Sequence, residues 1–206
     1  MLVDRLNAAL RRVPVWAVYL VGALPPFWYL YLGLTGGLGV DPVKSMEHEL
    51  GELALKLVIV GLAVTPLRRF AGVNLMKFRR SIGLVTFYLV VCHLLVWLVL
   101  DVQILSQIWA DIIKRPYITI GMVAFVLMIP LAVTSNNLSV RRLGPAWRQL
   151  HKLVYPAAIL GAIHFILLRK GFQIEPLVYL AIIAVLLGLR LIPRARKGAG
   201  RRAQQA

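Results

Sequence analysis

Two histidines, His93 and His164, each stand well inside an apolar segment long enough to cross a bilayer. An imidazole in hydrocarbon forfeits its hydrogen bonds to water, so an ionisable residue at that depth marks a site whose partner has to be named. Neutral imidazole keeps one nitrogen lone pair and is a common metal ligand, and two such rings on neighbouring helices can hold one haem iron between them. His151 precedes His164 by 13 residues, about 20 Å along an ideal helix, which is the spacing of a second haem stacked on the first. Arg79 and Arg80 lie 14 and 13 residues before His93, where a second ligand on that segment would fall. A guanidinium keeps its protons and cannot ligate iron, but both arginines suit haem propionates. The bland reading of each histidine is a hydrogen-bonded structural residue; two at matching depth favour ligation.

Six apolar stretches must position these side chains, at roughly 14–34, 51–67, 82–100, 117–135, 153–168 and 176–192, each near the ~20 residues that a spanning helix needs. The chain has 206 residues, is 60% hydrophobic and has a mean hydropathy of +0.78, far from a soluble domain. The expected fold is an all-α integral membrane protein: a six-helix transmembrane domain over 1–193, then a basic tail, 194–206, expected to be disordered. Measured from the same side, His93 lies about 18 Å along its helix and His164 about 20–24 Å along its own. The two rings are therefore expected at matching depth.

The net charge of +16 raises the question of nucleic acid, and the positions of the charges answer it. Eighteen of the 24 basic residues fall on one side of the six-span topology, and every acid except Asp4 falls on the other. The positive-inside rule then puts both termini in the cytoplasm. Topology alone accounts for the basic clusters, with anionic lipid or a negatively charged cytosolic partner as the alternative reading; membrane lipid, not nucleic acid, is an expected partner of the chain. Cys92 has no intrachain partner and reads as a small packing residue.

Pro25-Pro26 is expected to interrupt the first span, and Pro130 to bend the fourth near its inner end. Thr35–Lys44 reads as a tight outer turn, and Pro116 as a first-turn residue. Trp147 and Arg148 read as anchors at the inner interface. His48, beside Glu47 and Glu49, reads as an exposed interfacial residue, with a proton or quinone site as the alternative. Trp16, Tyr88, Trp97 and Phe165 suit lipid or core contact, or packing on a macrocycle. On an ideal helix His151 and His164 point about 140° apart; Pro156 between them is expected to change that phase by breaking the hydrogen-bond ladder.

Four strings carry a resemblance: Gly36-Gly-Leu-Gly-Val-Asp-Pro-Val-Lys44, Arg115-Pro-Tyr-Ile-Thr-Ile-Gly121, Leu143-Gly-Pro-Ala-Trp-Arg-Gln-Leu-His-Lys-Leu-Val-Tyr155 and Ile163-His164. Over nearly its whole length the chain resembles the MsrQ (YedZ) family. These are haem-binding membrane subunits that work with a periplasmic molybdopterin methionine sulfoxide reductase, and they group with the membrane domains of ferric reductases and NADPH oxidases. The resemblance implies that His93 and His164 match an outer haem pair and His151 an inner ligand. Arg79 and Arg80 stand where the inner partner would be. It implies haem b, one group or two, and associates the family with flavin mononucleotide, for which no residue pattern assigns a site.

The function so implied is an electron-transfer subunit, rather than the catalytic one, in a bacterial inner membrane. Its electrons would come from a cytosolic flavin reductase or a membrane quinol and serve the repair of oxidised periplasmic proteins. No dinucleotide fingerprint occurs on the cytoplasmic side, so direct oxidation of a nicotinamide by that fold is not expected. The alternatives are a stand-alone ferric or oxygen reductase using the same haems, and a proton channel or small transporter using the same histidines.

Overall fold

The computed structural model describes residues 1–169 and 172–193, which form helices and no strand. The basic tail expected over 194–206 lies outside the described residues. The first helix, α1 (Leu2–Arg12), precedes α2 (Val15–Leu34) and α3 (Pro42–Pro66), and the chain widens into a π turn over Leu67–Ala71. A tight turn at Met76–Phe78 opens α4 (Arg79–Leu95), which loosens into a π segment over Val96–Val102. Then follow α5 (Leu105–Lys114), α6 (Pro116–Val133), α7 (Asn137–Leu143) and α8 (Pro145–Leu150). A three-residue turn, His151–Leu153, leads into α9 (Val154–Leu168), and α10 (Ile174–Leu191) closes the described chain.

Six helical runs are long and apolar enough to span: Val15–Leu34, Pro42–Ala71, Met76–Val102, Pro116–Val133, Pro145–Leu168 and Ile174–Leu191. The protein is a multi-pass membrane protein. The second span begins nine residues earlier than hydropathy suggests, because Asp41 caps it by accepting the Lys44 amide at 3.2 Å and Pro42 takes the first turn. The Lys44 amide and ammonium hold the Asp41 carboxyl below the usual carboxylate range, so this cap persists at neutral pH and is lost as pH falls through that lowered value. Residues Lys44 to Glu52 are therefore helix, and the turn ends before them. Pro116 does open α6.

The N-terminal segment is not a loose tail. The Asn7 side chain donates to the Gly72 carbonyl at 3.0 Å and accepts the Asn74 amide at 2.9 Å, while Lys77 donates to the carbonyls of Arg11 and Val13 at 2.8 and 2.7 Å. Leu10 adds an apolar contact to Val64, Phe78 and Ile82. These bonds lay α1 against the α3–α4 connection, at the end of the bundle where the described residues begin and finish.

Helix α3 is the central post. It packs along α4 through Met46, Leu50, Ala54, Val85 and Leu89, and against α9 and α10 through Leu55, Leu62, Ala158, Ala162 and Ile183. Helix α6 runs along α9, and α2 lies outside α4. The α3/α4 and α6/α9 pairs touch only lightly, through α4 with α6 and α3 with α9, which leaves space between them for a site.

The proline expectations divide. Helix α2 continues as a single helix through Pro25 and Pro26, and three residues earlier Gly22 brings it against α4: a Cβ there would collide with the Val85 methyls. Valine is stiff at χ1 and cannot swing aside. Gly22→Val should therefore push α2 off α4 and destabilise the bundle by about 1–3 kcal/mol; a detergent-denaturation midpoint equal to wild type would show that the contact is slack.

Helices α8 and α9 meet at the tight turn His151–Leu153, and Pro156 sits in the first turn of α9, where its missing N–H costs little. The phase change expected from Pro156 therefore arises just before it. Each residue of a three-per-turn helix advances about 120° instead of 100°, so three of them reduce the His151–His164 separation from about 140° to about 80°. Both histidines thereby reach the space between the helix pairs.

Candidate haem-ligand site

Two cavities lie one above the other between the helix pairs and share Val58 and Met128 as a common floor and ceiling. The upper one, about 490 Å³, is at the end away from α1 and holds both His93 and His164. Its size falls in the usual range for a ligand or cofactor site. The wall is mostly apolar and aromatic, including Trp97, Phe125, Met128 and Phe165, and its mouth is charged, with Lys44, Glu47, Asp101 and Arg115.

His93, from α4, and His164, from α9, approach with ring centroids 6.2 Å apart and planes at 79°. Each ring is pinned from behind. His93 Nδ1 lies 2.9 Å from the Glu47 carbonyl on α3, and His164 Nδ1 lies 2.7 Å from the Tyr117 carbonyl on α6. A carbonyl only accepts, so Nδ1 carries the proton in both rings and each Nε2 keeps a free lone pair. A hydrogen bond on the far nitrogen is how metal-binding imidazoles are generally oriented and made more basic.

The spacing fits an iron. Imidazole nitrogen binds first-row metals at about 2.0–2.1 Å, so two rings sharing one ion have centroids about 6.3 Å apart. A hydrogen-bonded pair of structural histidines would have one nitrogen facing the other and would not need both Nδ1 protons turned away. The donor set and its separation therefore fit a bis-imidazole haem. The described residues contain no group of three or more His, Cys, Asp or Glu arranged for a bare metal ion.

The lower cavity, about 470 Å³, contains His151, Arg79, Arg80 and Arg190. His151 stacks on Trp147 at 3.9 Å between centroids, and its Nε2 is 3.1 Å from the Thr134 hydroxyl. That hydroxyl donates to the Pro130 carbonyl at 2.6 Å, so the imidazole donates to it. Trp147, expected as an interfacial anchor, instead donates its indole N–H to the Thr134 carbonyl at 2.9 Å and forms part of the His151 environment. Arg80 donates to the Asn137 side chain at 2.8 Å, and Arg190 donates to the Tyr155 hydroxyl and the Leu62 carbonyl at 2.9 and 2.6 Å. No second histidine lines this cavity among the described residues.

Of the aromatics singled out by sequence, Trp97 and Phe165 line the upper cavity. Trp16 is 62% exposed on the outside of the bundle, and the Tyr88 hydroxyl reaches the Ala23 carbonyl of α2. His48 is partly exposed and borders the upper cavity.

Sequence reasoning missed three features. The carbonyls of Glu47 and Tyr117 left no side-chain signal at all. Lys44 and Arg115, the cations at the upper mouth, were lost among residues assigned to topology. Lys56 was passed over although it stands halfway along the second span and pairs with Glu52 at 2.6 Å. The i,i+4 spacing of that pair inside an apolar run was the available signal.

Residues 50–162 match the family described as ferric reductase like transmembrane component. The chain is 51% identical, over 86% of its length and 83% of the relative's, to the protein-methionine-sulfoxide reductase heme-binding subunit MsrQ of Agrobacterium fabrum. The proteins of the same name from Brucella anthropi and Brucella ovis are each 48% identical, over 88% and 86% of this chain and 84% and 81% of theirs. No solved structure matches it. Identity at this level across four-fifths of each relative, on a six-span bundle, makes the chain a member of the MsrQ family with a ferric reductase like transmembrane core.

Proposed function

We propose that this protein is a haem b electron-transfer subunit of the bacterial inner membrane, in which His93 and His164 would hold the haem and electrons would leave on the side of the upper cavity toward a periplasmic methionine sulfoxide reductase. The observation that carries the reading is the pair of imidazoles 6.2 Å apart, each with Nδ1 bonded to a carbonyl and Nε2 free. The bound haem would supply one-electron redox chemistry. The chain's own residues hold the ligands, exclude water with the apolar wall, and offer Lys44 and Arg115 to carboxylates at the mouth.

The basic-residue distribution supports cytoplasmic termini, which puts the lower cavity on the side of the electron donor, a cytosolic flavin reductase or a membrane quinol. There His151 would ligate a second haem, and Arg79 and Arg80 would meet propionates or the phosphate of a flavin mononucleotide. Ligation through His151 Nε2 requires that nitrogen to release Thr134. Repair of oxidised periplasmic protein would be indirect, through electrons delivered to the reductase.

The ferric reductase likeness of the core favours one rival, a cytochrome that reduces ferric iron or dioxygen itself. Reoxidation of the dithionite-reduced protein separates the two. The subunit reading expects fast reoxidation by a purified periplasmic methionine sulfoxide reductase supplied with methionine sulfoxide, and slow reoxidation by ferric chelates. The reverse order of rates would establish the rival.

A further inference from the structure

The two imidazole bonds repeat one device on two helices. On α3 the acceptor is the carbonyl of Glu47 and the residue four places on is Gly51; on α6 the acceptor is that of Tyr117 and the residue four places on is Gly121. In an α-helix the carbonyl of residue i already accepts the amide of residue i+4, and its second lone pair is free. A side chain at i+4 leans back toward the helix N-terminus and covers that lone pair. A glycine at i+4 leaves it open to the close approach of an imidazole ring from another helix.

The distances say the same. A Cβ on Gly51 would stand 3.1 Å from both Cε1 and Nδ1 of His93, and one on Gly121 would stand 2.8 Å from Nδ1 of His164. Both glycines line the upper cavity. Gly188, by contrast, is a helix-interior glycine in α10 whose Cβ would meet nothing within 4 Å.

We propose that Gly51 and Gly121 are the positioning residues of the haem site: by uncovering the carbonyls of Glu47 and Tyr117, they fix the tautomer and plane of His93 and His164 and hold the two rings nearly perpendicular. The inference rests on the haem reading above. Ring planes near 79° make a ferric bis-imidazole centre strongly anisotropic, with one large g value in its electron paramagnetic resonance spectrum. A ring displaced from its carbonyl loses both the imposed plane and the added basicity.

The test is the full-length protein in membranes, as wild type, Gly51→Ala, Gly121→Ala and Gly188→Ala. Gly121→Ala should lower the largest g value of the centre, move its midpoint potential and weaken haem retention about 10–100-fold, the usual effect of losing a partner that orients a metal ligand. Gly51→Ala, with a longer contact to relieve, should move the same quantities less. Gly188→Ala makes the same change in helix propensity and should leave them at wild type. Wild-type spectrum and potential in both Gly51→Ala and Gly121→Ala would overturn the inference, as would an equal shift in Gly188→Ala. Should Gly121→Ala fail to accumulate, Gly51→Ala decides alone. A wild-type protein without a Soret band sinks the haem reading itself, and this inference with it.

Discussion

His93→Ala and His164→Ala should each reduce the Soret absorbance of the upper site to background, while His151→Ala should leave it in place. The two ring centroids lie 6.2 Å apart, so on the proposed ligation each ring would supply one nitrogen to the iron, and the groups directly behind the rings are backbone carbonyls and glycines that offer iron no nitrogen. A five-coordinate haem would then depend on one imidazole and apolar contacts. The free rings are also held by their Nδ1 bonds, so loss of one should not disturb the other. Added imidazole should therefore restore much of the absorbance in His164→Ala, where the cavity retains the removed ring's space. Retention of full haem by both alanine variants, with normal protein yield, would remove the assignment.

Glu52→Ala should destabilise the bundle by about 2–3 kcal/mol, the largest stability effect expected of a change outside the helix packing. Lys56 stands halfway along the second span, half exposed on the outside of the bundle, and Glu52, mostly buried, lies 2.6 Å from its ammonium. The Tyr179 hydroxyl is within 3.2 Å of the same Glu52 oxygen and 3.3 Å of Glu175, which ties the pair to α10. Removing Glu52 leaves the lysine charge at that depth without its carboxylate, and the ammonium must then reach for the interface. Glu52→Ala with Lys56→Met removes both charges and should recover most of the loss, because the cost lies in the orphaned charge more than in the missing contact. A double variant no more stable than Glu52→Ala, by the midpoint of unfolding in mixed detergent, would place the cost elsewhere.

The residues of the upper site and the six spans were legible because membrane physics writes them plainly. A polar ring inside twenty apolar residues is conspicuous, and counting residues from the basic ends gave matching depths for His93 and His164. What was illegible came from two sources. The first is local helix geometry: the phase of His151 depends on a tight turn at His151–Leu153, and Pro156 was the more visible feature beside it. The second is backbone chemistry, since the acceptors of both imidazoles are carbonyls, which every residue has. Only Gly51 and Gly121 hint at them, through the absence of a side chain. Asp41 likewise moves the start of α3 into a stretch whose charges make it look like a loop.

Helices α1 and α5 were missed for a related reason. Both are amphipathic and neither is long enough to span. In α5 the apolar residues Leu105, Trp109 and Ile113 recur every four positions and stay exposed, a pattern suited to lying along a membrane surface. Hydropathy averaged over a spanning window dilutes such a stripe to the level of a connection.

The central claim is that one iron is shared by nitrogens from α4 and α9. Pulsed electron paramagnetic resonance on ferric His151→Ala protein grown with ¹⁵N-histidine tests it most directly, since that variant removes any iron ligated on the lower side. Hyperfine couplings from two axial imidazole nitrogens on a single low-spin centre are the predicted result; a centre coupled to one imidazole nitrogen, or to none, would contradict it.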